Sequence, residues 1–325
     1  MSLVQSTSEC WVSTFVDTLK CQRDNFQMAK KTIEELQNRV EELESELSER
    51  ESDLALFRDE LTKANVQLKK LINQISNELK TAAKIQKALV PTEFPTIPGF
   101  EFSTKFVPSP ISGGDYFDIF EHEDKFRFGV VLANSSGYSM SALFLSVLLK
   151  MSGQLEARKG IAPNQILEHM ARELVPNIEA GDLANVFYGV IDRRNFELTY
   201  SHAGSYVGLL VSQNKVQKLD VSNTAIGKAF KPGIENKSIN LNPHDKLILC
   251  SEGVLKVVNS KSEKFGEERL FKAVLAASEN EVHDLRNEIM IQIEKFAGDK
   301  DLSQDVTVLV LEVKDRVIKL AKSRS

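Results

Sequence analysis

The sequence predicts an α+β layered sandwich, two antiparallel sheets with helices packed outside them, preceded by a long coiled-coil helix. Three observations carry this. From Lys31 to Leu79 the chain has no glycine or proline and is dense in Glu, Lys, Gln and Leu. Near Leu89–Pro98 the composition shifts to strands punctuated by Pro and Gly. Beyond that break, strand pairs joined by short turns dominate and no βαβ alternation occurs, which favours antiparallel sheets over a parallel one.

The elements follow in order. Residues 1–26 form an amphipathic helical lead with Trp11, Phe15 and Leu19 at four-residue spacing, suited to core packing, to capping a dimer or to docking a partner. Residues 27–90 form the stalk. With Ile33 at heptad position a, the following a positions are Val40, Leu47, Leu54, Leu61, Leu68 and Ile75, all apolar. The d positions are Leu36, Leu43, Arg50, Phe57, Ala64, Leu71 and Glu78. A strict 3.5-residue period sustained this long predicts a coiled coil, because the apolar stripe of a single amphipathic helix drifts off it. The economical partner is a second copy of the chain in a parallel homodimer. Arg50 and Glu78 mark places where the coil is loose.

Residues 91–315 form the globular domain. Lys125–Leu132 predicts a strand, and Leu143–Leu155 and Pro163–Leu174 predict helices, the second opening on proline. Val186–Ile191 pairs with Phe196–Tyr200 around Asp192–Asn195, and Tyr206–Val211 pairs with Val216–Leu219. Lys246–Cys250 is a strand, Phe265–Leu275 and Val282–Phe296 are helices, and Val306–Val313 is the closing strand. Residues 316–325 form a basic tail, expected to be solvated.

Bulk properties remove several function classes. The 325 residues are 42% hydrophobic and 27% charged, with a formal net charge of -5. Nothing in that balance calls for nucleic acid or an anionic membrane. The N-terminus does not have the basic start and apolar run of a signal peptide. No stretch reaches the roughly 20 apolar residues needed to span a bilayer. Cys10, Cys21 and Cys250 form no CxxC pair, and the five histidines form no HExxH or HxH arrangement. Reduced thiols and a cytoplasmic location are expected.

Four short segments gather small residues and acids or amides at strand ends: Ser112 to Asp118 (SGGDYFD), Ala133 to Gly137 (ANSSG), Cys250 to Gly253 (CSEG) and Ser303 to Thr307 (SQDVT). Glycine beside an acid lets backbone approach a bound ion. Oxygen ligands without histidine or thiolate suit hard cations such as Mg²⁺ or Mn²⁺ rather than zinc. Gly-Gly-Asp is also a common turn.

The run Ala83-Lys84-Ile85-Gln86-Lys87-Ala88-Leu89-Val90-Pro91, then Phe106-Val107-Pro108 and Gly113-Gly114-Asp115-Tyr116-Phe117-Asp118, resembles the bacterial SpoIIE/RsbU branch of the PPM phosphatases. Ala203-Gly204, Ala225-Ile226-Gly227, His244 to Leu249, Phe265 to Leu270 and Asp305-Val306-Thr307 extend the likeness in the family's order, over about Ala82 to Val313. The resemblance implies a PPM phosphatase-like β-sandwich of two antiparallel sheets flanked by helices, with a binuclear Mn²⁺ or Mg²⁺ centre at one end. In such a centre a metal-bridging water attacks a phosphoserine or phosphothreonine. It also implies a partner of the anti-sigma-factor antagonist type, a phosphoprotein whose dephosphorylation switches partners. Ile85 and Gln86 take the place where a helix controls activity.

Carried over one at a time, the resemblance implies catalytic and metal roles for Asp115 and Asp305. Asn134 stands where the family has an aspartate, followed by Ser135, whose backbone carbonyl takes a metal-binding place, and by Ser136 and Gly137. Glu252 stands where an aspartate is expected, and Gln304 where the first acid of the closing pair is. Gly114, Gly137 and Gly253 are the binding glycines. Asn134 removes a formal charge and Glu252 adds a methylene, so one ion or none is expected instead of two. Asp118, Asp299 and Asp301 are the candidate replacement ligands. A pseudophosphatase acting as a partner-switching regulator is the favoured expectation. The alternatives are an active Mn²⁺-dependent protein serine/threonine phosphatase and a coiled-coil dimeric scaffold.

Overall fold

A computed structural model describes residues 3–89, 91, 93–109, 114–136, 160–178, 181–219 and 223–314, with backbone alone for 3–19, 21, 22, 24, 29, 79, 82, 83, 85–89 and 136. The helix expected at Leu143–Leu155, Gly137 and the tail 316–325 lie outside the described residues. The chain divides into two units, Met1–Gln74 and Ile75–Ser325.

Helix α1 runs Leu3–Leu89 without interruption. No Gly or Pro falls inside it, and Pro91 follows just beyond its end, where a pre-proline residue is biased away from the helical region. All seven predicted a positions from Ile33 to Ile75 are between 53% and 67% exposed, and Leu36, Leu43, Phe57 and Leu71 at d are exposed as well. The heptad stripe is therefore left in water by this chain on its own. No described helix is long and apolar enough to cross a membrane.

The described residues of the second unit form two five-stranded sheets. The strands are β1 (Phe100–Val107), β2 (Asp115–Glu121), β3 (Arg127–Ser136), β4 (Leu183–Asp192), β5 (Glu197–Ala203), β6 (Val207–Ser212), β7 (Lys215–Lys218), β8 (Lys237–Asn240), β9 (Lys246–Cys250) and β10 (Val306–Val313). One sheet has the order β1-β10-β9-β6-β7 and the other β2-β3-β4-β5-β8. Every pairing is antiparallel.

Both faces of each sheet are covered, which explains why the central strands read as nearly unbroken apolar runs. In β10, Leu309, Leu311 and Val313 enter the core between the sheets with Phe117, Phe128, Leu132, Phe187, Leu247 and Leu249. The alternate residues Val306, Val308 and Val310 face the opposite way. They pack with Ile248 beneath two helices, α4 (Gly266–Ala276) and α5 (Val282–Ala297). The outer face of the second sheet is covered by α2 (Pro163–Leu174), whose Ile166, Leu167, Met170, Ala171 and Leu174 form one buried stripe against Tyr116, Val131 and Tyr188. A short helix, α3 (Glu252–Lys256), follows β9 directly.

The α+β sandwich is thus as the sequence predicts, and the bounds of α2, β9 and β10 agree with it. β3 starts two residues later than expected and continues past Leu132 to Ser136. Its polar end stays paired to β2 and β4, as in Asn134 with Asp115 and Asn185.

Candidate functional site

Several strands that line the inter-sheet core change from apolar to polar at the same end, whereas β1 keeps Phe106 there, opposite Thr307. On β2 the inward residues run Ile119, Phe117, Asp115; on β3 they run Val130, Leu132, Asn134; on β4 Phe187 gives way to Asn185. In the facing sheet the series are Leu247, Leu249, Ser251 and Leu311, Leu309, Thr307, Asp305. A side-chain period of two puts all these polar groups on the inner face. Register aligns them: Asp115 opposes Asn134, which in turn opposes Asn185. The site is a polar rim closing one end of the sandwich core.

Within the rim, Asp115 and Asp305 are each about 1% exposed, and Asn134, Asn185, Ser251 and Thr307 are buried too. The Asn134 amide Nδ2 donates to Asp115 Oδ1 at 2.5 Å. The Thr307 hydroxyl donates to Asp115 Oδ2 at 2.6 Å. Asp305 accepts from three backbone N–H groups: Ser109 at 2.7 Å on Oδ1, and Gly114 at 2.9 Å and Asp115 at 3.1 Å on Oδ2. Its carboxylate thus pins the segment leading into β2 to the start of β10. Burial pushes the Asp115 carboxyl well above the usual carboxylate range and the neighbouring Asp305 charge adds to the shift, while hydrogen bonds from Thr307, Ser251 and Asn134 oppose it.

Gly114 and Ser135 join the same network, since Ser135 N and Oγ both donate to Gly114 O, at 3.1 and 3.3 Å. Gly253 is there for space: a Cβ on it would sit 1.9 Å from the Asp305 carbonyl oxygen. Ser251 Oγ accepts from Thr307 N at 3.1 Å, tying the turn after β9 to β10. Glu252 opens α3 and its Oε2 accepts from Lys256 Nζ at 2.8 Å, one helical turn on. Gln304 carries a buried Oε1 without a hydrogen-bond partner.

The replacement acids lie elsewhere. Asp118 shares the outer face of β2 with Tyr116 and Phe120 and accepts from Tyr116 OH at 3.0 Å, while Asp299 and Asp301 are exposed. The side chains of Ile85 and Gln86 are not among those described. Thr307, Ser251 and Ser109 belong to the network, and Asn185 stands beside it opposite Asn134 with its Oδ1 accepting from Ser205 N, although the sequence did not single them out as site residues. For Thr307 a signal existed, two residues past Asp305 on one strand face. For Ser109, whose contact is through backbone N–H, none did.

These donors do not suit a divalent cation. Mg²⁺ and Mn²⁺ take lone pairs from oxygen ligands. Here each Asp115 oxygen receives an N–H or O–H donor and the Asp305 oxygens receive three peptide N–H groups, so these donors compete with a cation for the roughly four lone pairs of each carboxylate. Glu252 is paired with a lysine, and no group of three His, Cys, Asp or Glu residues able to hold a metal occurs among the described residues. One orphaned amide oxygen, on Gln304, is a weak neutral ligand.

The family described as Stage II sporulation protein E (SpoIIE) matches residues 124–314. The chain belongs to the SpoIIE family. Phosphoserine phosphatase RsbU of Bacillus subtilis is 23% identical over 251 residues, 76% of this chain and 73% of that protein. Among solved structures, the SiaA-PP2C domain of Pseudomonas aeruginosa superposes with a TM-score of 0.64 at 18% identity, over 74% of this chain and 96% of that one. The phosphatase and partial regulatory region of SpoIIE from Bacillus subtilis gives 0.57 at 17%, over 66% and 63%. These likenesses show the PP2C fold. Phosphatases of this fold are metal-dependent, and RsbX, solved in complex with magnesium, superposes at 0.51 with 13% identity over 68% and 99%. The SpoIIE fold is present in this chain with a rim whose donors are arranged around a hydrogen-bonded acid.

Proposed function

We propose that this chain is a SpoIIE-type signalling regulator in which phosphoserine or phosphothreonine hydrolysis is weak or lost. It binds a phosphoprotein of the anti-sigma-factor antagonist type, by analogy with the RsbU relative, and signals by occupancy rather than turnover. The observation that carries this reading is the hydrogen bond from Asn134 to Asp115. It places a donor where the family resemblance implies a charged ligand. The engagement of Asp305 by three N–H groups supports the same reading. The exposed heptad stripe of α1 supports a homodimeric coiled-coil stalk, since an apolar seam of that length gains free energy when a second helix covers it.

The test is hydrolysis of a phosphoserine peptide and of a phosphorylated antagonist-type domain with millimolar Mn²⁺ or Mg²⁺. The expected result is binding without turnover. Turnover that disappears in Asp115→Asn identifies an active phosphatase and overturns the proposal.

A further inference from the structure

We infer that the Asn134 side chain takes over the structural work of a cation at this rim, so that a single exchange, Asn134→Asp, makes the stability of the domain depend on a divalent ion. This rests on the reading above that the rim does not operate as a two-metal centre, and it concerns folding rather than catalysis.

A buried carboxylate must be compensated by donors or by positive charge, since taking an unpaired charge out of water is strongly unfavourable. The donors that serve Asp115 come from the chain itself: Asn134 Nδ2 serves one oxygen and Thr307 Oγ1 the other. Asp305, the second buried acid, is supplied by the N–H groups of Ser109, Gly114 and Asp115. The hydrogen-bond donors that serve both acids therefore belong to the chain. The amide presents Nδ2, its donor end, to Asp115 Oδ1, the arrangement that suits an ionised carboxylate, which only accepts hydrogen bonds.

Aspartate at position 134 has nearly the same shape but no donor. It would hold a carboxylate oxygen against Asp115 where a 2.5 Å hydrogen bond now runs. Two buried acids at such a distance repel, and a divalent cation between them turns repulsion into coordination. The substitution thus removes a hydrogen bond and creates a charge vacancy in one step. Thr307 and the backbone clamp on Asp305 are untouched by it.

The experiment compares thermal unfolding of the full-length wild type and Asn134→Asp, each in EDTA and in millimolar Mn²⁺. The wild-type midpoint is expected to be the same in both. Asn134→Asp is expected to unfold about 10 °C lower than wild type in EDTA and to recover at least half of that loss in Mn²⁺. Folded Asn134→Asp that is insensitive to Mn²⁺ overturns the inference. Calorimetric titration of the wild type with Mn²⁺ keeps the question decidable if the variant does not fold: absence of saturable binding supports it, and saturable binding lost in Asp115→Asn overturns it. Phosphatase turnover by the wild type would sink the functional proposal. A catalytically silent wild type beside a cation-indifferent Asn134→Asp would sink this inference alone.

Discussion

Thr307 is fully buried and gives its hydroxyl proton to Asp115 while its backbone N–H reaches Ser251. Thr307→Val keeps the shape and removes one donor from a buried acid, so a loss of about 1.5–3 kcal/mol is expected. Urea unfolding measures it, and an unchanged midpoint would show that the carboxyl does not depend on this donor. Gly253→Ala should be as severe, because its methyl group meets the rigid backbone oxygen of Asp305 rather than a movable side chain. His122 supplies a pH dependence far from the rim. Burial, with the Arg127 charge adding to it and Asp124 opposing, holds its imidazole down to about 4. Nε2 lies 3.0 Å from Tyr188 OH. The unfolded chain binds that proton with a pKa of about 6.5, so between there and about 4 the unfolded state holds more protons. Stability is therefore complete above the unfolded value and declines as pH falls through the window, by up to about 3 kcal/mol. Urea midpoints against pH should show this slope in the wild type and lose it in His122→Gln.

Among the elements, α1 offers the sharpest separation of one part from another. Leu54 is at the middle of the exposed a series and is 67% exposed in the single chain. Leu54→Asp should abolish self-association in sedimentation while leaving the near-UV spectrum of the sandwich intact; a variant that still dimerises would disprove the stalk as the dimer seam. The elements most legible in the sequence were those whose pattern is set by burial. Pro163–Leu174, Lys246–Cys250 and Val306–Val313 each carry an apolar stripe or run that the core requires. The edge strand β8 (KSIN) was not read, because it is mostly exposed and owes its conformation to pairing with β5. Helix α3 was missed for a related reason: five residues are too few to show a period. At the rim, the acids and glycines stood out by type and spacing. Their hydrogen-bond partners did not, since which donor meets Asp115 depends on a register between strands 19 and 192 positions apart.

At the scale of the whole molecule, two units with different sources of stability should unfold differently. The first has no core of its own among the described residues, so in the proposed homodimer its stability comes from a second helix, whereas the second has three buried clusters. Calorimetry on the full chain should therefore resolve a transition that rises with protein concentration and another that does not. A single concentration-independent transition would count against an associating stalk.

The switch of these inward strand faces from apolar to polar at one end has a consequence for how such a domain diverges. Residues at the rim sit on the last rung of the ladder, beyond the layers occupied by Phe117, Leu132, Phe187 and Leu309. An acid there can become an amide while the interior packing remains as it was. Lineages built on this scaffold are free to trade reactivity for recognition without having to redesign what keeps them folded.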